Sequence, residues 1–410
     1  MVDFGLTERE EALKKRAEQF TREHITPYAL DLEKRTWTKH DEYPMEVMQK
    51  AYEAGFLNLH IPKEAGGPDP AQSLVAETII SEATAYGCAG IATNISCNNL
   101  AFTPLCIGAT IEQLQKYVQP LISGEKVKFG AFSLTEREAG SDAAATKTTA
   151  EKSGDSYIIN GVKCFITNAP VADLFTVFAM TDPDAKPRHR GISCFMVPKG
   201  NGVSIGMIED KMGQRLSSQS EIIFENVEIP ADCLVGKEGD GFKIAMMTLD
   251  KTRANIAAIA VGVAQRAVDE SARYANIRKQ FGKPIAAYQA ISFTIADMAC
   301  RAAAARQLTR YAAWLADQGL RNSKDSAFSK WFASDAAMKN AIDAIQVLGG
   351  YGYAREYPVE KLARDAKLLQ IYEGTNQVQR LVASNIILKE WRDKTTGFKL
   401  DYPGRDAPQL

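Results

Sequence analysis

The sequence lacks the short motifs that mark the commonest nucleotide-binding and hydrolytic sites. It has no Gly-x-Gly-x-x-Gly after a strand pattern, no Walker phosphate loop, no His-Glu-x-x-His and no Gly-x-Ser-x-Gly. The nearest glycine-rich candidate, residues 350–355, lacks the third glycine of the dinucleotide fingerprint. A Rossmann dinucleotide site therefore has no support in this sequence.

Histidine and paired cysteine are also scarce. The four histidines lie outside every motif described below, so acid–base chemistry is expected to use a carboxylate. The seven cysteines are odd in number and form no Cys-x-x-Cys pair, which argues against a disulfide framework. No histidine accompanies the evenly spaced cysteines at 88, 97 and 106, so no metal site is predicted.

The balanced charge and the lack of long apolar runs argue against two further classes of partner, nucleic acids and membranes. The 49 basic and 50 acidic residues give a formal net charge of −1, which argues against a large nucleic-acid surface. No uninterrupted apolar run approaches the ~20 residues that a membrane span needs. The N-terminus shows no basic region followed by an apolar run, so no targeting peptide is predicted. We expect a cytoplasmic protein without a nucleic-acid partner or a membrane span.

Periodicity divides the chain into three parts. Helical patterns fill residues 1–127, short strand patterns fill residues 128–240, and long alanine-rich helical patterns fill residues 241–395, followed by a tail at 396–410. The order predicts a mainly α fold with a β domain: an N-terminal helical domain, a middle antiparallel β domain and a C-terminal helical bundle. A capping box is expected at Thr7 and Glu10. Asn160-Gly161 predicts a hairpin between two strands.

Two segments near the predicted β domain could meet a ligand. Residues 132–142 gather small and hydroxyl side chains, and Gly140 would let a ligand approach the backbone. Their hydroxyl and N–H groups suit an anion such as a pyrophosphate, although an ordinary polar loop has the same composition. Residues 164–168 place Phe165 and a hydroxyl at a strand end, which suits a flat cofactor or simply a strand terminus with a core phenylalanine.

Three further segments lie in the predicted bundle. Residues 278–284 form a basic, glycine-containing connection, in which Arg278 could hold a phosphate or be solvated. Residues 346–353 end a helix with paired glycines, which is also the pattern of a helix C-cap. Residues 372–377 place Glu373 just before a helix. Glu373 is either a catalytic group or a surface carboxylate stabilised by the helix dipole.

Together these five segments, in this order and on an α/β/α frame, resemble the acyl-CoA dehydrogenase family. The similarity runs from about residue 6 to residue 390, with signatures at 134–142, 346–350 and 371–380. Residues 239–243 and 249–253 look like those of the medium-chain subgroup. The resemblance implies a C-terminal four-helix bundle and an FAD that lies extended between the β domain and the bundle.

The resemblance also assigns residues to ligands. Those expected to contact FAD within the chain are Phe132, Leu134, Thr135, Gly140, Ser141, Phe165, Ile166, Thr167, Thr375 and Gln377. A second FAD-contacting set, offered across a subunit interface of a homotetramer, comprises Arg278, Phe281, Gln289, Gln346 and Gly350, with Gln280 and Gly349 beside them. Ser141, Asp250 and Arg253 would hold the CoA portion, and Gly374 would adjoin the thioester.

The reaction implied is α,β-dehydrogenation of an acyl-CoA thioester to the 2-enoyl-CoA. Glu373 would remove the α proton while a hydride passes from the β carbon to flavin N5, and hydrogen bonds to the thioester oxygen would stabilise the enolate. Electrons would then pass to an electron-transferring flavoprotein. Some members carry the base on the long helix after the β domain. Thr252 occupies that position here and cannot act as a base, which favours Glu373.

Two other functions remain open on the sequence: a flavin-dependent oxidase or monooxygenase of the same fold, and a non-catalytic flavin-binding interaction protein. The chain also departs from the family pattern, with Arg137 where many members have proline and Phe165 in place of a common tryptophan. The polar stretch 94–99 is expected to line or back the acyl pocket. We therefore expect a short, cyclic or functionalised acyl group as readily as a long straight one.

Overall fold

The computed structural model describes residues 5–39, 41–68 and 73–395, with side chains to residue 392. The predicted tail at 396–410 lies outside the described residues. In the described part of the chain, no helix combines the length and apolarity needed to cross a membrane, and no group of three or more metal-ligating side chains is present.

The N-terminal part of the chain is helical. Helix α1 begins at the predicted capping box, which is confirmed: the Thr7 hydroxyl accepts from the Glu10 N–H, and the Thr7 N–H donates to the Glu10 carboxylate. Two later helices of this part, α4 and α5, are almost wholly buried. The helices are α1 (Glu8–Phe20), α2 (Ala29–Thr36), α3 (Met45–Glu53), α4 (Leu74–Gly87), α5 (Ala89–Gly108), α6 (Ile111–Tyr117) and α7 (Gln119–Ile122).

A single sheet forms the middle of the chain. Its strands are β1 (Phe129–Ser133), β2 (Thr149–Ser153), β3 (Ser156–Thr167), β4 (Ala172–Met180), β5 (Ile192–Pro198), β6 (Val203–Ile208), β7 (Gln219–Pro230) and β8 (Leu234–Val235). The order is β6-β7-β3-β2-β4-β5-β8, with β1 paired to β4. Most neighbours are antiparallel, as predicted, whereas β1 and β2 each pair with β4 in parallel. The strand ends of β1 and β3 carry the residues of the first two segments.

The hairpin predicted at Asn160-Gly161 is wrong. Both residues lie inside the continuous strand β3, where the register against β7 shifts between Ile159 and Gly161. A Cβ on Gly161 would lie 2.5 Å from the Thr148 hydroxyl, so this glycine serves close strand packing within the sheet rather than a turn. The chain instead reverses at Gly154, which has φ +59° and joins β2 to β3.

The C-terminal part is a bundle built around one long buried helix. It comprises α8 (Gly241–Ile277), α9 (Gln289–Asp317), α10 (Ser323–Leu348), α11 (Pro358–Leu369) and α12 (Asn376–Thr395), with a short hairpin of β9 (Lys279–Gln280) and β10 (Lys283–Pro284) after α8. Alanines dominate its core, which lets helices approach closely. Where α8 meets α4, a Cβ on Gly262 would lie 2.3 Å from the Glu82 carbonyl oxygen. Close packing thus brings α8 against the N-terminal helices and positions the turn between α11 and α12.

Candidate active site

Glu373 lies in a tight turn between α11 and α12. Its φ is +50° and that of Gly374 is +88°, so two consecutive residues have left-handed backbone. The Asn376 N–H closes the turn on the Gln370 carbonyl at 3.0 Å. A Cβ on Gly374 would lie 2.4 Å from Gln379 Nε2, so only glycine satisfies both the backbone and the space. Glu373 itself adopts a conformation that costs energy for a residue with a side chain, as is common at functional sites.

The Glu373 carboxylate is half-buried and has one close side-chain donor. The Thr252 hydroxyl donates to Glu373 Oε2 at 2.9 Å. Burial raises the pKa of Glu373 to about 7, against the opposing effects of Thr252, Arg253 and Lys330, which favour the charged form. A carboxyl group with a pKa near neutrality both exists as the carboxylate at working pH and binds a proton readily.

The turn is anchored from the N-terminal helices through the residue before Glu373. The Tyr372 hydroxyl lies 3.2 Å from the Thr93 hydroxyl on α5. Thr93 in turn donates to Gln214 Oε1 at 2.8 Å, and the Gln214 N–H donates to the buried Asp365 carboxylate on α11. Glu373 is therefore held between helices of both α-helical parts.

One thiol connects Glu373 to the end of strand β3. Cys97 on α5 is buried, and burial together with the charge of Glu373 raises the pKa of Cys97 to about 12, an increase that the Thr167 hydroxyl opposes. Thr167 also accepts from Gln219 Nε2 at 2.9 Å. The structure thus brings Thr167, from the second sequence segment, near the predicted base.

The first and second segments are also joined to each other. The Cys164 N–H donates to the Thr135 carbonyl at 2.9 Å. The Lys163 ammonium, which is fully buried, donates to the Leu134 carbonyl at 3.1 Å and to Glu136 Oε1 at 2.8 Å. A buried ion pair therefore fixes the loop after β1 against the end of β3.

This junction presents groups that fit a flavin. Phe165 has φ +56° and remains 57% exposed, so its ring offers an open aromatic face at the strand end. Phe132 is half-buried against Phe178, with ring centroids 5.1 Å apart. Gly140 and Ser141 are exposed on the adjoining loop, Thr135 and Thr167 are half-buried, and Leu134 and Ile166 are buried. Near Glu373, the Thr375 hydroxyl accepts from the Val378 N–H at 3.2 Å, and Gln377 is exposed.

The second FAD-contacting set lies at one end of the bundle. Arg278 sits over the Tyr351 ring at 5.6 Å, and the Tyr288 hydroxyl donates to the Gln280 carbonyl at 3.0 Å. Phe281 has φ +51° and is 94% exposed. The remaining exposed members are Gln289, Gln346, Gly349 and Gly350. Within the described residues of one chain, no hydrogen bond, ion pair or ring contact joins this set to the β-domain set.

Two of the predicted CoA-contacting residues pair with each other. Arg253 Nη1 donates to Asp250 Oδ1, and the Ser323 hydroxyl donates to Asp250 Oδ2 at 2.6 Å. Arg253 is 4% exposed, and its buried Nε has no partner in the described part of the chain. Ser141 lies instead on the exposed loop after β1. Arg137, the departure from the family's proline, donates from Nε to Glu221 Oε1 at 2.8 Å.

The three asparagines of the polar stretch 94–99 bind other segments of the chain. The Asn94 amide donates to the Leu216 carbonyl at 2.9 Å. The Asn98 side-chain oxygen accepts from the Gly130 N–H at 2.9 Å. Asn99 accepts from the Leu59 N–H at 3.2 Å. These three amides bind neighbouring segments, which leaves Cys97 as the member of the stretch identified beside Glu373.

Sequence reasoning missed two side chains that bind the Glu373 turn. The Lys330 ammonium donates to the Gly374 carbonyl at 2.8 Å, and Gln379 Nε2 donates to the carbonyls of Glu373 and Gly374 at 3.2 and 3.0 Å. Lys330 left a signal in the sequence, because it lies three residues from both Ala327 and Ala333, on the apolar face of α10.

Comparison with known proteins identifies the family. Residues 7–125, 131–227 and 239–388 match the models of the N-terminal, middle and C-terminal domains of acyl-CoA dehydrogenases. An acyl-CoA dehydrogenase of Bacillus subtilis is 44% identical over 386 residues, covering 93% of this chain and 99% of that protein.

Solved structures extend the likeness to three dimensions. Butyryl-CoA dehydrogenase from Megasphaera elsdenii matches with a TM-score of 0.89 and 39% identity, covering 94% of this chain and all of that one. A chain from the structural study of the electron transferring flavoprotein of Acidaminococcus fermentans matches with a TM-score of 0.89 and 42% identity, covering 95% of this chain and 100% of that chain. The predicted family, fold class and cofactor are confirmed. The chain belongs to the acyl-CoA dehydrogenase family and is an FAD-dependent oxidoreductase.

Proposed function

We propose that the protein converts an acyl-CoA thioester to the 2-enoyl-CoA and that Glu373 removes the α proton. The observation that carries the proposal is the state of this carboxylate. It is half-buried, it has a single close hydroxyl donor in Thr252, and burial raises its pKa to about 7. A general base with such a pKa is available at neutral pH and is strong enough to accept a proton from carbon activated by a thioester.

The turn also supplies a group for the thioester oxygen. The Glu373 N–H makes no hydrogen bond to the described residues. A free N–H that precedes the Gly374 peptide can donate to the carbonyl oxygen of a thioester, where negative charge develops as the α proton leaves. Base and donor then belong to the same residue, so the left-handed turn aligns both groups at once.

The two FAD-contacting sets would together hold FAD. Phe165 and Thr167 would flank the ring system, and the loop containing Thr135, Gly140 and Ser141 would bind the pyrophosphate through hydroxyl and N–H groups. FAD supplies the hydride acceptor for the β carbon. Within this chain, the buried Lys163–Glu136 pair keeps the loop and the strand end in contact.

We also propose how the subunits assemble, which protein accepts the electrons and where the enzyme is located. The bundle-end set is exposed and separate from the β-domain set, which supports a homotetramer in which a neighbour completes each FAD site. The match to a chain from a study of an electron transferring flavoprotein supports such a flavoprotein as acceptor. Seven free cysteines suit a reducing compartment and support a cytoplasmic location.

The test is anaerobic mixing of the holoenzyme with a panel of linear, branched and cyclic acyl-CoA thioesters. We expect flavin bleaching with at least one thioester, and a rate lower by about 10²–10⁴-fold in Glu373→Gln with FAD and ligand binding retained. Glu356→Gln, which alters an exposed glutamate before α11, serves as the control and should reduce normally.

Reduction of Glu373→Gln at the wild-type rate would overturn the assignment of the base. Failure of every thioester to bleach the flavin would favour the non-catalytic alternative. Rapid reoxidation of the reduced flavin in air would favour the oxidase or monooxygenase alternative.

A further inference from the structure

A lysine without any exposed surface lies directly behind the Glu373 turn. Lys330 on α10 has a relative exposure of 0%. Its ammonium donates to the Gly374 carbonyl at 2.8 Å and to Asn376 Oδ1 at 3.1 Å. Burying an ammonium is costly unless hydrogen bonds or an opposite charge replace its lost hydration. The hydrogen bonds to Gly374 and Asn376 therefore offset part of this cost.

Both of those groups belong to the segment that begins at Glu373. Gly374 has φ +88°, and Asn376 is the first residue of α12. Gln379 adds donors to the carbonyls of Glu373 and Gly374 from the next turn of that helix. Lys330 and Gln379 therefore share the Gly374 carbonyl as an acceptor, Lys330 with a charged donor and Gln379 with a neutral donor.

The charge of Lys330 also reaches the Glu373 side chain. Desolvation lowers the pKa of Lys330 to about 7, whereas the negative charge of Glu373 opposes that decrease. In return, the ammonium favours the carboxylate form of Glu373.

Other charged and polar groups also affect the protonation of Glu373 and Lys330. Arg253 on α8 favours the Glu373 carboxylate and disfavours the Lys330 ammonium, and Asp335 on α10 favours the ammonium. Thr252 donates to Glu373, while the buried Cys97 and the half-buried Tyr372 are neutral, because their pKa values are raised.

We propose that Lys330 is a positioning residue for Glu373, which holds the Glu373–Gly374 turn in its left-handed form and favours the carboxylate over the carboxylic acid. The inference rests on the proposed role of Glu373 as base. Lys330 and Gln379 contribute differently to this turn. Lys330 both hydrogen-bonds the turn and places a positive charge near Glu373, whereas Gln379 only hydrogen-bonds the turn.

Lys330→Met and Gln379→Met separate these contributions in the holoenzyme. Loss of a neighbouring positive charge raises the pKa of Glu373, so in Lys330→Met the acid limb of the pH–reduction profile shifts upward by about half a pH unit or more. Gln379→Met should lower the reduction rate about tenfold with the acid limb unchanged. In both variants the Kd for an unreactive thioether analogue of the substrate should stay within about threefold of the wild-type value.

Lys339→Met is the matched control. Lys339 lies on the same helix, is exposed and pairs with Asp343, so its replacement should change neither the rate nor the acid limb. An acid limb in Lys330→Met that coincides with that of Lys339→Met would overturn the proposal. If Lys330→Met does not fold, Lys330→Gln still tests the proposal, because it removes the charge and keeps a hydrogen-bond donor; an acid limb in Lys330→Gln that coincides with that of Lys339→Met would overturn it.

The two proposals fail in distinguishable ways. Normal reduction by Glu373→Gln refutes the role of the base, whatever Lys330 does. Loss of reduction in Glu373→Gln together with a wild-type rate and pH profile in Lys330→Met refutes only the inference about Lys330.

Discussion

Two glutamates in this protein, Glu136 and Glu373, differ sharply in how their carboxylates are bound. Glu136, on the loop after β1, accepts from Lys163, from the hydroxyls of Thr146 and Thr148, and from two backbone N–H groups. These donors outweigh desolvation and lower its pKa to about 2. Glu373 has one hydroxyl donor, and burial raises its pKa to about 7.

The difference follows from the charge of Lys163 beside Glu136 and from the larger number of donors around that carboxylate, rather than from burial alone. A carboxylate surrounded by donors is held as an anion and serves to fix a loop. A carboxylate with a single neutral donor can exchange its proton near neutral pH, which is what general base catalysis requires. Structural and catalytic roles are thus distinguishable from hydrogen bonding around two chemically identical side chains.

The largest effect is expected at Glu136. Glu136→Gln leaves the fully buried Lys163 ammonium without its counter-charge, and we expect a loss of about 3–5 kcal/mol in the free energy of unfolding. Urea unfolding followed by circular dichroism measures this loss. Glu138→Gln is the control, because Glu138 and its partner Lys147 are both exposed. Equal losses in the two variants would contradict the structural role assigned to Glu136.

The next effect concerns the pH dependence of flavin reduction. The proposed base is the carboxylate form of Glu373, whose pKa is about 7, so we expect the reduction rate to fall about tenfold per pH unit below that value. Stopped-flow bleaching over a range from about pH 5.5 to about pH 8.5 measures the profile. A rate that stays constant down to about pH 5 would show that Glu373 behaves like an ordinary exposed glutamate.

A smaller effect should appear in stability and have the opposite sign to that at Glu136. The folded-state pKa of Glu373, about 7, exceeds its ordinary value of 4.5, so folding favours the protonated form. Stability from this group is present below about pH 4.5 and is lost as pH rises through about 7. Glu373→Gln has no such loss and should be more stable than wild type by about 1–2 kcal/mol at about pH 8. Thermal unfolding at low and high pH tests this, and a less stable variant at high pH would contradict it.

The smallest effect is expected from removing the hydroxyl group of Thr252 or of Thr148, which bind Glu373 and Glu136 respectively. Thr252→Val removes the single hydroxyl donor to Glu373 and should move the acid limb of reduction upward by up to about one pH unit. Thr148→Val removes one of several donors to Glu136 and should cost about 1 kcal/mol of stability without moving that limb. A shift of the acid limb in Thr148→Val would erase the distinction between the two sites.

The sequence predicted the order of helical and β-rich parts because hydrophobic periodicity is local and repeats over many residues. It also predicted roles for Glu373, Thr252 and Phe165 from residue types at family-like spacings, and the structure places Thr252 against Glu373. It misinterpreted Asn160-Gly161, because a turn signal cannot reveal that a neighbouring strand requires a residue without a side chain.

The sequence alone could not predict contacts between segments that are distant along the chain. The Lys330–Gly374 bond joins residues 44 positions apart, and the Thr93–Tyr372 contact joins residues 279 apart. Such contacts depend on how helices pack, which single-sequence patterns do not encode. The polar stretch 94–99 is still predicted to line or back an acyl pocket, but its sequence did not reveal that its three asparagines bind backbone groups of other segments.

That use of the amides has a consequence for altering the substrate range of this enzyme. Replacing Asn94, Asn98 or Asn99 would change the scaffold as well as any cavity, because each amide supports a segment far away in the chain. Cys97, whose pKa is affected by both Thr167 and Glu373, makes no hydrogen bond to the backbone of another segment among the described residues. A library designed to enlarge or reshape the acyl cavity should therefore randomise position 97 first and keep the asparagines constant.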